Sequence, residues 1–347
     1  MVLSEISLTN FRSHSDVKFV FDPELTIISG KNGIGKTNAL EAIYVLLRGG
    51  SFRSVTDSEL TRFEAPWWRV TGVVDDSPRQ VRFQPEKRPA KHLIVGDTTK
   101  RFMYRDRLPV VLFEPNDLLL IHGSPTRRRD AFDDMLGALS YEYKLALGRY
   151  ERALKQRNNA LKKYGQTTGL ADKLFVWDVA LAEYGENIIA SRFELVERLN
   201  SLMPHFYAQI SGKTDDISLR YESALPVPIN SSTLLNALHK AMPLDTLRAT
   251  TSVGPHRDDF SFQLNGSSAK QTASRGEVRS ILLALKLAYA ELLQERFETS
   301  PIMLFDDVFS ELDADRQVNL LGKLNNHQTI ITDTKDVRTK RGKQIRL

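Results

Sequence analysis

The stretch that decides the fold is Gly30-Lys31-Asn32-Gly33-Ile34-Gly35-Lys36-Thr37, which fits the pattern G-x-x-x-x-G-K-[ST]. An apolar run from Leu25 to Ser29 precedes it, and a helical pattern from about Lys36 to Leu47 follows it. A strand, a glycine-rich turn and a helix in this order predict a phosphate-binding loop. The glycines let backbone N–H groups turn inward, and the helix N-terminus favours an anion.

The residue types in this loop fit a nucleoside triphosphate with its magnesium ion. Lys36 brings a fixed positive charge to the β- and γ-phosphates, and the Thr37 hydroxyl is a ligand for Mg²⁺. We therefore predict ATP and Mg²⁺ as cofactors. The predicted nucleotide-binding residues of the loop are Gly30, Lys31, Asn32, Gly33, Ile34, Gly35, Lys36 and Thr37.

A carboxylate for the magnesium ion is supplied near the other end of the chain. The apolar segment 301–305 is followed by Asp306 and Asp307, and ligands gather at the carboxyl ends of parallel strands. We predict that Asp306 holds Mg²⁺ through water. The predicted catalytic residues are Asp307, which orients the water that attacks the γ-phosphate, and Lys36, whose charge faces the phosphates. Lys36 and Asp306 are 270 positions apart, so the fold must close around a long insertion.

The middle of the chain predicts that insertion. Residues 127–163 contain no proline, and apolar residues recur there at steps of three and four; a second such run extends from Leu174 to Phe206. With the short loop 165–169 between them, the two runs predict an antiparallel helical hairpin. A helix pair in the core of one domain is one interpretation. An arm inserted into an ATPase head is the favoured one, because strand-rich segments resume afterwards.

The predicted architecture is therefore α/β: a P-loop ATPase head of mixed sheets with flanking helices and an inserted helical-hairpin arm. The predicted domains are an N-terminal head part at 1–123, an arm at 124–245 and a C-terminal head part at 246–347. The last thirteen residues carry six Lys or Arg, which indicates a solvated tail.

A second turn of interest, Ser274-Arg275-Gly276-Glu277, comes before a helical pattern that ends near Arg296. A capping box between Ser274 and Glu277 accounts for it fully. The alternative is a second anion site, in which the helix N-terminus and the Ser274 hydroxyl contact a γ-phosphate. Because the turn lies 32 positions ahead of Asp306, we predict that Ser274 and Gly276 bind the nucleotide.

Composition limits the classes of protein that remain. The 347-residue chain has no cysteine, which excludes disulfides, thiolate metal sites and cysteine nucleophiles. No apolar run approaches the ~20 residues that span a bilayer, so we expect a cytoplasmic protein without a membrane segment. The net charge of +5 permits an anionic partner.

Taken in order, the P-loop, the Ser-x-Gly turn, the Asp-Asp strand end and residues 310–313 (Ser-Glu-Leu-Asp) resemble an ABC-type ATPase head. Further segments resemble the RecF family of such ATPases over about residues 3 to 334. They are Leu8-Thr9-Asn10-Phe11-Arg12, Arg107 to Pro109, Phe113 to Leu118, Gly123 to Pro125, Arg127 to Arg129, Gln156-Arg157-Asn158 at the expected arm tip, and Gly254 to Asp259.

The resemblance implies properties that periodicity does not show. The family binds ATP between two heads, with the P-loop of one subunit facing the Ser274-type turn of the other. ATP therefore drives homodimerisation, and slow hydrolysis, stimulated by DNA, releases it. The family binds single- and double-stranded DNA, favours gapped or junction DNA, and works with RecO and RecR to place RecA during repair, replication and the SOS response.

The roles of three residues and three other classes of protein stay open at this stage. Glu277 stands where the family usually has Gln, and His256 and Arg257 fit either a structural or a ligand-binding role. An SMC-like DNA-end-processing ATPase needs far longer coiled coils than 127–212 provides. A transporter ATPase subunit is normally more compact, and a non-enzymatic DNA clamp does not need Asp307.

Overall fold

The computed structural model describes residues 1–54, 56–85, 90–165, 167–226, 228–309, 312–334 and 342–347. In that part of the chain the strands are β1 (Leu3–Phe11), β2 (His14–Val20), β3 (Leu25–Ser29), β4 (Trp68–Val74), β5 (Ser77–Gln84), β6 (Ala90–Val95), β7 (Thr98–Arg101), β8 (Val110–Phe113), β9 (Ile217–Glu222), β10 (Asp259–Leu264), β11 (Ser267–Ser268), β12 (Ile302–Asp306), β13 (Thr329–Asp333) and β14 (Lys343–Arg346).

The helices are α1 (Lys36–Arg48), α2 (Leu119–His122), α3 (Pro125–Leu139), α4 (Tyr141–Tyr164), α5 (Leu170–Ser211), α6 (Ser231–Arg248), α7 (Ala269–Thr272), α8 (Arg275–Phe297) and α9 (Ala314–Lys323). These elements form two compact units. The first holds 1–117, 206–213 and 279–347, and the second holds 118–205 and 214–278.

The first unit contains two sheets. One is antiparallel, in the order β2-β1-β4-β5-β6-β7, and the other is parallel, in the order β14-β3-β13-β12-β8. Helix α1 contacts strands of both sheets, and its buried face belongs to the apolar core that includes Leu40, Ile43 and Leu46. In a parallel sheet the strands end at one edge, so Ser29, Asp306 and Asp333 terminate side by side there.

The second unit contains a small antiparallel sheet in the order β11-β10-β9 and the helices α2, α3, α4, α6 and α7, together with most of α5. Phe132 of α3 stacks on Phe260 of β10 with ring centroids 4.1 Å apart. Arg128 of α3 pairs with Asp259 through two hydrogen bonds of 2.7 Å each. Apolar stacking and a two-point ion pair therefore hold α3 on the sheet.

The strands predicted at 25–29 and 301–305, the helix predicted after the P-loop and the helix predicted after the Ser274 turn are confirmed as β3, β12, α1 and α8. The prediction of one continuous helix over 127–163 is wrong, because α3 ends at Leu139 and α4 begins at Tyr141. Ser140 lies between them in an extended conformation, and its Oγ accepts a hydrogen bond from the Tyr143 N–H at 3.1 Å. It caps α4, so the chain turns at a residue that a purely apolar pattern does not mark.

The C-terminal tail is also different from the prediction. Residues 335–341 lie outside the described part of the chain, but Lys343–Arg346 form β14, which pairs with β3 in parallel register. Ile345 and Leu347 pack against the core of the first unit. Backbone pairing and these two apolar side chains order a segment that composition alone describes as a solvated tail.

The domain boundaries predicted at 123 and 245 stay a prediction. The compact units of the structure change at 117 and 278, so they place residues 246–278 with the helical unit. The loop predicted at 165–169 falls between α4, which ends at Tyr164, and α5, which begins at Leu170; residue 166 lies outside the described part of the chain. The segment Gln156-Arg157-Asn158 lies inside α4, two turns before its end.

Candidate nucleotide site at the edge of the parallel sheet

The P-loop connects β3 to α1, and its backbone takes conformations that require glycine. Gly33 and Gly35 have φ angles of 81° and 110°, in the left-handed region. A Cβ atom at Gly35 would lie 2.7 Å from Nε2 of His14, so a larger residue there would have to displace the His14 side chain. Residues 31–34 form the exposed part of the loop. The loop therefore has the tight, open turn that a phosphate cradle needs.

Lys36 is the first residue of α1, and its side chain folds back over the loop. Its Nζ donates hydrogen bonds to the backbone oxygens of Gly30 at 2.7 Å and Lys31 at 3.0 Å. The side chain is almost entirely buried, so the ammonium group is held at the loop rather than in solvent. A phosphate in the loop would meet a positive charge that is already in position.

The two ends of the chain meet at Thr37 and Asp306. The Thr37 hydroxyl lies 3.0 Å from each carboxylate oxygen of Asp306, although the residues are 269 positions apart. Asp306 is 9% exposed and ends β12. A hydroxyl and a carboxylate are the hard oxygen ligands that Mg²⁺ prefers, and Mg²⁺ is usually held by one or two such groups together with phosphates. The residues present therefore fit a magnesium–nucleotide complex.

Thr332 of β13 is a residue that the sequence reasoning did not single out. Its Oγ1 donates a hydrogen bond of 2.6 Å to Asp306 Oδ1 and accepts one of 3.1 Å from the Asp307 N–H. The Asp307 N–H also lies 3.1 Å from the Thr332 carbonyl oxygen. One hydroxyl thus orients the Asp306 carboxylate and fixes the backbone at Asp307. The contact of Thr332 with Asp306 follows from the register between β12 and β13, which the sequence around Thr332 does not show.

Asp307 leaves the end of β12 with a φ angle of 50°, a left-handed conformation that is uncommon for a residue other than glycine. Such conformations are kept where the surrounding contacts determine them, as the two hydrogen bonds from its N–H do here. The turn places Asp307 directly beyond Asp306 at the edge where the P-loop begins. This position is compatible with the predicted catalytic role, which stays a prediction.

Arg12 anchors α1 from the N-terminal hairpin. Its guanidinium group donates to both oxygens of Glu41, at 2.9 and 2.7 Å, and Glu41 is completely buried. Ser51 donates to the same carboxylate at 2.5 Å. Glu41 lies one helical turn after Thr37, so these contacts fix the helix that carries the P-loop threonine. The sequence analysis marked the segment that ends in Asn10-Phe11-Arg12 by its resemblance to the family, but it did not predict the contact of Arg12 with Glu41.

The Ser274 turn lies in the second compact unit, and the structure shows the capping box there. The Ser274 N–H and hydroxyl donate to Glu277 Oε2 at 2.9 and 2.8 Å, and the Glu277 N–H approaches Ser274 Oγ at 3.3 Å. Gly276 lies in the first turn of α8. The structure thus brings the P-loop, Asp306 and Asp307 together in one unit and places Ser274 and Gly276 in the other.

His256 and Arg257 make local contacts within the second unit. His256 Nδ1 lies 2.7 Å from the Tyr150 hydroxyl, and its Nε2 lies 3.1 Å from the Thr251 carbonyl oxygen. Burial lowers the pKa of His256 to about 4, so the ring is neutral near pH 7. Arg257 donates to the same carbonyl through Nε at 3.1 Å and a terminal nitrogen at 2.7 Å. These contacts support a structural role for both residues.

Of the segment predicted at 310–313, Ser310 and Glu311 lie outside the described residues. Asp313 caps α9, because its Oδ1 accepts a hydrogen bond of 2.9 Å from the Arg316 N–H. Among the helices of the described chain, none is both long and apolar enough to cross a membrane.

Comparison with known proteins gives consistent matches along the chain. The model of the RecF/RecN/SMC N terminal domain matches residues 2–345. The DNA replication and repair protein RecF of Natranaerobius thermophilus is 35% identical over 356 residues, which covers 96% of this chain and 91% of that protein. Among solved structures, the recombination mediator protein RecF-ATPrS in the RecFOR pathway is 32% identical, with a TM-score of 0.88 and coverage of 99% and 95%. The corresponding RecF-ATP structure is 33% identical, with a TM-score of 0.86 and coverage of 98% and 94%.

Proposed function

The chain belongs to the RecF family, whose heads are ABC-type ATPases, and on that premise we propose that it is an ATP-dependent, DNA-binding recombination mediator. Its relatives are named for DNA replication and repair, and one of them is described in complex with ATP. In this proposal the chain binds ATP and Mg²⁺, dimerises on ATP and hydrolyses it slowly, with stimulation by DNA. The proposed location is the cytoplasm, where it would act with RecR- and RecO-type proteins to help load RecA on gapped or junction DNA.

The observation that carries the ATPase part is the convergence of Thr37, Asp306 and Thr332 at the edge of the parallel sheet. When bound, Mg²⁺ supplies a positive charge that neutralises the β- and γ-phosphates. The chain's own groups do the rest. The loop amides and Lys36 hold the phosphates, Thr37 and Asp306 offer oxygen ligands, and Asp307 accepts a hydrogen bond from the attacking water. Phosphoryl transfer depends mainly on such positioning and charge.

The experiment that tests the proposal is ATP turnover and sedimentation of the full chain, with and without gapped DNA. We expect a larger species with ATP than with ADP, and faster turnover when DNA is added. The Asp307→Asn variant should keep ATP binding and dimerisation, but hydrolyse at least about tenfold more slowly, which is about 1.4 kcal/mol of barrier.

Two results would contradict the proposal. Equal sedimentation with ATP and ADP, together with turnover that DNA does not change, would remove the mediator function. Unchanged turnover in the Asp307→Asn variant would leave the ATPase in place but move the catalytic role to another residue.

A further inference from the structure

Charge is unevenly distributed over the two long helices of the second unit. Helix α4 carries seven Lys or Arg and two Glu in 24 residues. Helix α5 has the opposite balance, with six Asp or Glu and three Lys or Arg in 42 residues. The net charge of α4 is therefore +5, which equals the net charge of the whole chain. This asymmetry is a property of the folded elements that overall composition does not reveal.

The positive charge of α4 is concentrated on one exposed face, which we call the α4 basic face. Its members are spaced by eight, three and seven positions, which places them within about 80° around the helix at 3.6 residues per turn. They are the exposed residues Lys144, Arg152, Lys155 and Lys162. The face is about 27 Å long at ~1.5 Å per residue. Glu151 lies on the same face and leaves it with a net positive charge.

Arg157, by contrast, lies on the buried side of α4, where Asp178 and Asp245 neutralise it. No ion pair of the described residues involves Lys155 or Lys162, so their charges remain for an external partner. The exposed stripe of α5 has the opposite sign, since it includes Glu183, Glu194 and Glu197. An anionic rod approaching this helix pair is therefore attracted to α4 and repelled by α5.

We propose that the α4 basic face binds the phosphate backbone of duplex DNA. The inference deepens the proposed function and rests on its DNA-binding part. A helix with cations spread over about 27 Å matches the length of most of one turn of a duplex, about 34 Å, which offers one negative charge per ~1.7 Å of axis. The contact is to phosphates and is therefore independent of base sequence.

The same face does not suit single-stranded DNA. Proteins that bind single strands combine positive charge with exposed aromatic side chains on which bases stack. Between Lys144 and Lys162 the one aromatic residue is Tyr150, which is buried. The α4 basic face thus offers charge without a stacking platform, which favours a duplex, such as the duplex part of a gapped substrate.

The test is a charge reversal, Lys155→Glu with Lys162→Glu, in the full chain. Its matched control is Lys240→Glu with Lys270→Glu, which makes the same change in net charge at exposed positions of α6 and α7 in the same unit. Binding of a labelled duplex of about three helical turns, and of a labelled single strand of the same length, is measured by fluorescence anisotropy over a range of salt concentrations, with ATP present.

We expect the α4 variant to lose at least about tenfold in duplex affinity, with a salt slope smaller by about 0.9 for each phosphate contact removed. The control should stay within about threefold of the parent, and both variants should keep ATP affinity and thermal stability. If the Glu variant fails to fold, the neutral pair Lys155→Gln with Lys162→Gln is used, with the same direction of effect expected.

The outcomes separate this inference from the proposed function. If the parent chain binds no duplex, the DNA part of the proposed function fails. If the parent binds and the α4 variant keeps its affinity and salt slope, the assignment to α4 is wrong. An equal loss in the control reduces the effect to net charge and also overturns the assignment. A loss confined to single-stranded DNA overturns the choice of partner.

Discussion

At the scale of single residues, Lys36 is the side chain whose charge the P-loop depends on. Its Nζ is held by two loop carbonyls, 2.7 and 3.0 Å away, and is already aimed at the loop. We expect Lys36→Ala to weaken ATP binding by about tenfold to a hundredfold, because a charge-assisted hydrogen bond contributes about 1.5–3 kcal/mol. Titration with a fluorescent ATP analogue measures this. Lys18→Ala, an exposed change on β2, is the control, and equal affinity in both variants would contradict the P-loop assignment.

Thr332 gives a second prediction at this scale. Thr332→Val keeps the shape of the side chain but removes the donor to Asp306 and the acceptor for the Asp307 N–H. We expect ATP turnover to fall about tenfold, since about 1.4 kcal/mol of transition-state positioning is lost. Thr332→Ser retains the hydroxyl and should recover most of the rate. If Val and Ser variants turn over ATP equally, the hydroxyl does not position Asp306.

Residues differ in how far the sequence predicts them. Lys36, Thr37 and Asp306 follow from local motifs, because each motif carries its own chemistry beside a strand or helix signal. Thr332 and Glu41 do not, because their roles depend on partners brought near by strand register or by the N-terminal hairpin. Asp306 pairs with Thr332 in the β12–β13 ladder, and nothing in the residues around Thr332 indicates that pairing.

At the scale of elements, the buried ion pairs of Arg157 join three helices of the second unit. Its guanidinium donates to Asp178 of α5 and Asp245 of α6, each at 2.6 Å, and to the Thr251 hydroxyl at 3.0 Å. Arg157 and Asp245 are fully buried, so neither charge has water to replace its partner. Removing the arginine would leave two buried carboxylates uncompensated.

We therefore expect Arg157→Ala to destabilise the second unit by about 3–5 kcal/mol. Hydrogen exchange is measured by mass spectrometry. Relative to the parent chain, the variant should show a larger increase in exchange in α4, α5 and α6 than in α1. Arg152→Ala, on the exposed side of the same helix, should change stability by less than about 0.5 kcal/mol. Unchanged exchange in α4 of the Arg157→Ala variant would show that packing alone holds these helices.

Reasoning from the sequence missed two features of the secondary structure, the boundary between α3 and α4 and the C-terminal strand β14. The apolar steps of three and four continue from α3 into α4, so periodicity predicts one helix, and only the Ser140 cap ends it. The C-terminal strand is short and basic, and it is ordered by backbone pairing with β3 and by the packing of Ile345 and Leu347. At Ser140 a local cap outweighs the pattern of the surrounding segment, and at β14 long-range pairing with β3 does so.

At the scale of the whole molecule, the order of the motifs predicted the fold class, because a P-loop and its acidic strand end must meet at one sheet edge. The order does not give the limits of the compact units. These depend on packing between elements distant in sequence, and segment 206–213, at the end of α5, belongs to the first unit although most of that helix belongs to the second.

The last prediction concerns assembly. Thr37 and Ser274 each lie at the N-terminus of a helix, α1 and α8, and both are predicted to bind the nucleotide. The Ser274 hydroxyl here donates to Glu277, so the turn is satisfied by its own helix until a phosphate replaces the carboxylate. If the phosphates of one ATP contact the P-loop of one chain and the Ser274 turn of a second, a two-fold dimer carries two nucleotides and both helix ends gain an anion.

Ser274→Arg should therefore leave ATP binding by the monomer within about twofold of the parent, because the P-loop is untouched. It should abolish ATP-dependent dimerisation, since a long side chain fills the turn and the hydroxyl donor is gone. Analytical ultracentrifugation with ATP, in the Asp307→Asn background to slow hydrolysis, measures the dimer. Ser267→Arg adds the same bulk and charge at an exposed position of β11 and should still dimerise. A Ser274→Arg variant that dimerises with ATP like its parent would leave Ser274 as a helix cap alone, because no phosphate of a second chain would then need that turn.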